Sequence, residues 1–195
     1  MIFSIVFLAL LAGPQAGHVS DVLYIRKLSA HIERILKNPS KVRARRLLEK
    51  TLRQHLDLDK FKQKVLVDVN DRFSVKDREE FDELFDKMIS DRIVQTIMNN
   101  NDKDFCDSVE IIKAKSVGVV SVLCQRRNKE HTLKFFIGRS HGHARLVNME
   151  LSGALLSRNY RGSINKITRR DGVAGLLALI RKRINTPQGK SRSLL

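Results

Sequence analysis

The side chains best suited to chemistry in this chain are two histidines that stand one residue apart. His141 and His143 flank Gly142 and form the only close histidine pair. A zinc ion needs three or four converging ligands, and the residues around this pair are mostly polar or basic. The spacing therefore favours a solvated loop over a metal site, and no cofactor is expected.

The carboxylates also lack the arrangement of an acid and base pair. Asp57 and Asp59 stand two apart at a predicted helix start, where they point to different sides and suit helix capping. Asp82 and Asp86 form a like-charge pair on a predicted solvated face. The sequence carries neither a phosphate-binding glycine loop nor a Gly-x-Ser-x-Gly elbow. No catalytic constellation emerges, so the chain is predicted not to be an enzyme.

The two cysteines, Cys106 and Cys124, flank a predicted hairpin and could lie opposite each other. In an oxidising compartment they could form a disulfide. Two buried thiols are the alternative, and the spacing matches no metal motif.

The net charge of +16 is concentrated in the C-terminal part of the chain. Residues 126–195 hold 16 Lys and Arg against 3 Asp and Glu, whereas residues 1–125 hold 21 against 18. A basic region of this kind attracts polyanions such as nucleic acid or anionic membrane. A generally basic proteome would produce the same excess, and the charge alone does not separate the two.

The first seventeen residues predict export from the cytoplasm. An apolar run from Ile2 to Ala12, interrupted only by Ser4, leads into Gly-Pro-Gln-Ala-Gly. This is typical of a signal peptide over residues 1–17 with cleavage near Ala16 or Gly17. An uncleaved anchor is the alternative, because no Lys or Arg precedes the run.

Beyond this segment the pattern predicts helices, then strands, then helices. Apolar residues recur at helical spacing over 19–36, 42–55, from Leu58, and over 75–98, where Ser74 and Asp77 form a capping box. Stretches rich in β-branched residues follow, and helices return after the last strand. This order predicts an α+β fold with an antiparallel sheet wrapped by helices, and the polar tail 186–195 is expected to be loose.

Three parts of the sequence resemble the MlaC family, also called the toluene-tolerance auxiliary family. They are the segment Leu56-Asp57-Leu58-Asp59-Lys60-Phe61, the step Asp77-Arg78 ahead of Phe81 and Phe85, and Gly153 followed by Asn159-Tyr160-Arg161. On these motifs the chain is identified as a distant member, similar over roughly residues 40–185.

The resemblance implies a fold, a function and partners. The fold would be MlaC-like, with an NTF2/cystatin-like sheet and an N-terminal helical part: helices over 18–100, the sheet over 105–157 and C-terminal helices over 158–185, in one lipid-binding domain of residues 18–185. The function would be to carry phospholipid through the periplasm between the outer and inner membranes. Implied partners are an inner-membrane ABC transporter complex and an outer-membrane lipoprotein complex; a monomer is expected, without nucleic acid.

A lipid carrier must shield acyl chains from water, and each buried methylene contributes about 0.8 kcal/mol. The predicted walls lie on the helix 75–98, the short helix before it, and the sheet, although an ordinary core would use the same residue types. Two arginines, Arg158 and Arg161, could approach the phosphate, with Arg161 or Tyr160 holding the last helix to the sheet as the alternative. The predicted lipid-binding residues are Phe61, Val65, Phe81, Phe85, Met88, Leu133, Phe135, Val147, Met149 and Leu151.

Two other binding functions remain open from the sequence, and a third alternative is an enzyme on this α+β scaffold, which would need a polar residue deep in the pocket. One keeps the carrier but changes the cargo to a hopanoid or sterol-like lipid. The other is an interaction module with a closed core, whose basic surface binds anionic membrane or polymer.

Overall fold

The architecture is α+β, seen here in a computed structural model. The structure describes residues 15–100, 108–116, 118–126, 129–140 and 142–185. Most of the predicted signal peptide, Cys106, His141 and the tail 186–195 lie outside the described residues. The elements in chain order are α1 (Gln15–Leu36), α2 (Lys41–His55), α3 (Leu58–Leu66), a 3-10 turn (Asn70–Arg72), α4 (Val75–Asn100), β1 (Ser108–Ser116), β2 (Val119–Arg126), β3 (Lys129–Ser140), β4 (His143–Leu151), β5 (Ala154–Leu155) and α5 (Leu156–Asn185).

Side-chain caps set where three of the helices begin. The Ser40 hydroxyl accepts a hydrogen bond from the backbone N–H of Arg43 at 3.3 Å, and the Asp57 carboxylate accepts one from that of Lys60 at 3.1 Å. Ser74 accepts from the backbone N–H of Asp77 at 3.1 Å, and its hydroxyl donates to the Asp77 carboxylate at 2.7 Å. Each cap satisfies a helix donor that has no partner within the helix.

The five strands form one antiparallel meander in the order β1-β2-β3-β4-β5. Tight turns with glycines at positive φ join neighbouring strands, Gly118 before β2 and Gly142 before β4. The sequence predicted a turn at residues 127–130, but β3 already begins at Lys129, which pairs with Arg126. The polar residues at this end continue the ladder because backbone pairing does not depend on apolar side chains. The predicted fold class is confirmed.

The corner between the sheet and the last helix is a two-residue turn. Ser152 and Gly153 both have positive φ, of 47° and 86°, and join Leu151 to its partner Ala154. Such turns match the twist of a hairpin and need residues that tolerate the left-handed region. The helix α5 then begins at Leu156 and is broken at Gly172, whose φ of 70° and ψ of −179° only glycine adopts readily. The sequence placed the start of the second C-terminal helix at Asp171, next to this break.

Two apolar clusters matter for the site. The aromatic core comprises Phe61, Phe73, Phe81, Phe85 and Tyr160, within the larger cluster that joins α3, α4 and α5. The sheet core joins α1 to the sheet. A smaller cluster packs α2 on α1 and α4. The buried members of the sheet core are Ile25, Leu28, Val120, Val122, Ile137 and Leu146.

None of the helices in the described part of the chain has the length and apolar character needed to cross a membrane.

Candidate functional site

A cleft opens along the outer edge of β4, between the sheet and the helices α3, α4 and α5. Nine of its eleven lining residues are apolar. Its cavity volume is about 20 Å³, which is room for roughly one water molecule. The cleft is therefore narrow along an apolar seam. The lining residues are Leu56, Asp57, Leu58, Phe61, Ile89, Ile93, Leu146, Val147, Asn148, Met149 and Leu156.

The linker between α2 and α3 closes this edge of the sheet. Leu56 forms a parallel bridge with Leu146, and the backbone N–H of Asp57 donates to the Leu146 carbonyl at 2.9 Å. Next to the bridge, a Cβ on Gly138 would lie 2.7 Å from Cγ1 of Val147. Glycine at this position of β3 therefore lets Val147 lie flat against its neighbouring strand.

The two polar lining residues are satisfied by the protein itself. The buried Asp57 carboxylate caps α3 and lies 3.3 Å from the Lys60 ammonium. The Asn148 amide donates to the Ser157 hydroxyl at 2.7 Å and accepts from the Ser157 backbone N–H at 3.2 Å, which ties β4 to the start of α5. Because these groups are already paired, the remaining cleft surface is chemically apolar.

Comparison with known proteins identifies the family at this point. The family model described as MlaC protein matches residues 26–182. The chain belongs to the MlaC family. One solved structure with the same fold is the phospholipid-binding protein from Ralstonia solanacearum in complex with a phospholipid, with a TM-score of 0.60 and 16% identity. That alignment covers 89% of this chain and 97% of the other. No curated protein sequence matches the chain.

Three of the lipid-binding residues predicted from the sequence line the cleft of this MlaC-family chain: Phe61, Val147 and Met149. Four others lie in the buried cluster behind it. Phe81 and Phe85 stack with ring centroids 4.9 Å apart, and Val65 and Met88 are buried beside them. Phe61 joins the two regions, since it lines the cleft and also contacts Phe85 at a centroid distance of 6.2 Å. These positions remain predictions for lipid contact.

The remaining predicted wall residues lie elsewhere on the sheet. Leu133 and Phe135 of β3 are half-buried and pack with the sheet core against α1. Leu151 ends β4 next to the Ser152 turn and is 50% exposed. The sequence could identify all three as strand positions. The register pairs Leu133 with Leu151 and Phe135 with Met149, so these side chains share one face of the sheet, and the helices that they meet depend on how that face is covered.

The two arginines proposed for head-group contact differ in their surroundings. Arg161 donates to both oxygens of Asp68, and Asn165 donates to the same carboxylate at 2.5 Å. The hydrogen bond from Arg161 is the main reason that the pKa of the Asp68 carboxyl is lowered. Arg158 is exposed on the first turn of α5. The Arg161 side chain therefore joins α5 to the segment that follows α3, whereas Arg158 is an exposed residue of the same helix.

A buried lysine balances the acidic side of α4. Lys62 is 3% exposed, and its ammonium lies 3.2 Å from Asp59, 3.5 Å from Asp82 and 3.1 Å from Asp86. Burial, the largest single influence, would lower the pKa of Lys62, but the hydrogen bonds and charges of Asp86, Asp59 and Asp82 together outweigh it and the pKa is raised. Burial raises the pKa of Asp86. The three carboxylates thus surround an ammonium, and α3 is held to α4 beside the cleft.

A tyrosine–histidine pair anchors the helix that leads into the cleft linker. The Tyr24 hydroxyl of α1 lies 3.1 Å from Nδ1 of His55, the last residue of α2. Burial raises the pKa of Tyr24 to about 12, and burial lowers the pKa of His55, with His31 and Arg145 adding positive charge nearby. The neutral imidazole can accept a hydrogen bond from the tyrosine hydroxyl, and this hydrogen bond fixes the end of α2 one residue before Leu56.

The structure describes only one residue of the histidine pair and one of the two cysteines. His143 is exposed at the start of β4, and within the described ranges no three His, Cys, Asp or Glu residues converge as a metal site. The backbone of Cys124 pairs with Val109 and His131, whereas Cys106 lies outside the described residues. The disulfide therefore stays a prediction.

Sequence reasoning missed both residues that α4 contributes to the cleft, Ile89 and Ile93. Ile89 and Ile93 follow Phe85 at successive intervals of four residues, so they continue its helix face. That spacing could have extended the predicted wall. Leu146 and Leu156 carry no such signal, because their role depends on how β4 and α5 meet the linker after α2.

Proposed function

We propose that this chain binds a phospholipid by inserting its acyl chains into the cleft along β4. The observation that carries the proposal is the lining itself: nine apolar residues, with the two polar ones paired to the protein. A phospholipid bound to the Ralstonia protein of the same fold supports the choice of ligand. Its chains would exchange water for this apolar surface at about 0.8 kcal/mol per buried methylene.

Binding requires the cleft to widen, since its volume of about 20 Å³ holds no acyl chain. The packing suggests how this happens. The described members of the aromatic core all belong to α3, α4, α5 or the turn between α3 and α4, and those of the sheet core belong to α1 and the strands. Each core can stay intact while the sheet edge moves away from the helices. The contacts that must yield join β4 to the linker and to α5: the bridge between Leu56 and Leu146 and the hydrogen bonds between Asn148 and Ser157.

We further propose that the domain spanning residues 18–185 is a periplasmic shuttle that carries its lipid between the outer and inner membranes. The family match over 26–182 supports this role. The partners would be an inner-membrane ABC transporter complex and an outer-membrane lipoprotein complex, with residues 1–17 serving as the export signal. The shuttle would act as a monomer and exchange its lipid according to the affinity of each partner, without catalysing a reaction.

Native mass spectrometry of protein purified from a periplasmic expression host tests the ligand. We expect a stoichiometric adduct whose extracted mass is that of a phospholipid. A hopanoid or sterol-like mass would replace the cargo but keep the carrier. A protein that stays free of lipid after incubation with phospholipid vesicles would contradict the proposal.

A reversible cross-link tests the opening. In the double variant Leu56→Cys/Leu146→Cys, oxidation should join the two sides of the bridge and prevent lipid uptake, and reduction should restore it. Each single cysteine variant serves as the control, because it shares the substitution and the oxidising treatment but cannot form this link. Normal uptake by the fully cross-linked protein would show that lipid enters elsewhere.

A further inference from the structure

The outer face of α2 carries four positive side chains in a row: Arg43, Arg46, Lys50 and Arg53. They follow one another at intervals of three, four and three residues, so they share one side of the helix over about 15 Å. All four are exposed, while Ala44, Leu48 and Leu52 on the opposite side pack into the protein. These four residues are called the basic face below.

The basic face differs from Arg45, a cation on another side of the same helix. Arg45 points toward α4 and is paired with Glu49 at 3.0 Å and with Asp91 at 3.1 Å. In the described part of the chain, no carboxylate pairs with any residue of the basic face. Like charges three or four residues apart destabilise a helix, so folding gains nothing from this row of cations.

Two apolar side chains border the same face. Val42 is 66% exposed and Leu47 is 37% exposed, and helical spacing places them on opposite sides of the row. A polymer of phosphates or sulfates would need only the charges. An anionic bilayer presents phosphates together with glycerol and acyl groups, which suit a surface that combines cations with exposed apolar side chains.

We infer that the basic face docks this protein on the surface of an anionic bilayer. The choice of a bilayer over an acidic protein rests on the proposed function, because a lipid carrier must approach a source of lipid. The face is connected to the cleft through the chain: α2 ends at His55, and the next residue, Leu56, forms the bridge that closes the cleft. Docking through α2 would hold on the membrane the helix that leads directly into this bridge.

Co-sedimentation with vesicles tests the inference. The probe is a vesicle of equal parts phosphatidylglycerol and phosphatidylcholine, with pure phosphatidylcholine for comparison. The variant Arg46→Gln/Lys50→Gln should weaken binding to the anionic vesicle by roughly 30-fold, at about fivefold per basic residue. Raising the salt should weaken binding of the unmodified protein in the same direction. Exposed helical positions tolerate glutamine, and circular dichroism verifies the fold.

The matched control is Lys166→Gln/Arg169→Gln on α5, which removes the same charge from another exposed basic surface. This control should keep most of the binding. Equal loss in both variants would show a general effect of net charge and overturn the inference, as would no loss in the α2 variant. Leu47→Ser should weaken vesicle binding severalfold but leave heparin binding unchanged. If Leu47→Ser weakens neither vesicle binding nor heparin binding, or if the unmodified protein binds heparin strongly but not vesicles, the basic face binds a polyanion instead of a bilayer.

The lipid content of the same samples, measured by native mass spectrometry, separates this inference from the proposed function. Vesicle docking through α2 by a protein that never acquires lipid would refute the carrier and keep the docking surface. Lipid uptake by a protein that does not bind vesicles would refute the docking surface and keep the carrier.

Discussion

The aromatic core and the cleft use the same residue types but are packed in opposite ways. In the aromatic core, Phe85 touches Phe61, Phe81 and Tyr160, with ring centroids 4.9 to 6.2 Å apart. Along the cleft, apolar side chains of β4 and α4 face each other across a seam that is joined by the Leu56–Leu146 bridge and by the hydrogen bonds between Asn148 and Ser157. One region is a permanent interior, and the other is apolar surface held together weakly.

This difference shows why a list of apolar residues does not define a ligand site. Both regions were equally plausible walls in the sequence, and Phe61 belongs to both. What distinguishes them is connectivity: the aromatic core is closed by three helices that pack together, whereas the cleft lies between groups of elements that have separate cores. A ligand can replace protein contacts in the second region at low cost because few of them hold the fold.

The largest expected effect breaks the aromatic core. Phe85→Ala should lower the free energy of unfolding by roughly 3–5 kcal/mol, because it removes a fully buried ring and leaves a cavity. Urea titration followed by circular dichroism measures it. Phe73→Ala, at the half-buried rim of the same cluster, should cost less. If Phe85→Ala instead abolishes phospholipid binding without lowering the stability of the protein, the aromatic core and the cleft form one pocket.

The next effect fills the cleft. Met149→Trp should reduce the phospholipid adduct in native mass spectra more than tenfold, because the indole occupies the seam. The extra bulk should lower the free energy of unfolding by about 1–3 kcal/mol. Leu133→Trp adds the same bulk on the same face of the neighbouring strand, where the side chain packs with the sheet core instead of lining the cleft, and it should leave the adduct in place. Loss of lipid in both variants would extend the binding region to the sheet core.

A smaller effect concerns pH and the end of α2. Because the pKa of His55 is lowered by burial, the unfolded chain binds its proton first as pH falls below 6.5. Stability should therefore be constant above that value and decrease below it. At the alkaline end the Tyr24 pKa of about 12 predicts stability that falls as pH rises from 10 toward 12. In urea titrations at a series of pH values, His55→Gln should remove the loss of stability at acid pH. Tyr24→Phe should remove the loss of stability at alkaline pH. An unchanged acid slope in His55→Gln would assign it to other groups.

The sequence was sufficient for the order of elements, and it identified the family. Helical spacing predicted α1 to α4, the Ser74–Asp77 capping box is present, and the sharp break in α5 lies at Gly172, next to the predicted helix start at Asp171. These features are local, so they depend on residues close together in the chain.

Assigning residues to the cleft was harder because it depends on contacts between distant segments. Leu146 meets Leu56 only after β4 reaches the linker that follows α2, ninety residues earlier in the chain. Leu133 and Met149 belong to adjacent strands and have similar patterns, yet one packs toward α1 and the other lines the cleft. Likewise, the carboxylate that pairs with Arg161 lies far away in the chain, just after α3, so the pairing with Asp68 could not be derived from spacing.

The smallest expected effect tests whether Arg161 belongs to the fold or to the ligand site. Arg161→Gln and Asp68→Asn remove the two ends of one exposed ion pair, so each should change stability only slightly and neither should reduce the phospholipid adduct. Arg161 lowers the pKa of Asp68 in the folded protein below the value of 3.8 expected for the unfolded chain. The stabilisation from the ion pair is therefore fully present above pH 3.8, and it is lost as the pH falls through the lower pKa of the folded state. The double variant should be no less stable than either single one. If Arg161→Gln loses lipid while Asp68→Asn keeps it, the guanidinium contacts the head group, and the site extends beyond the apolar cleft onto α5.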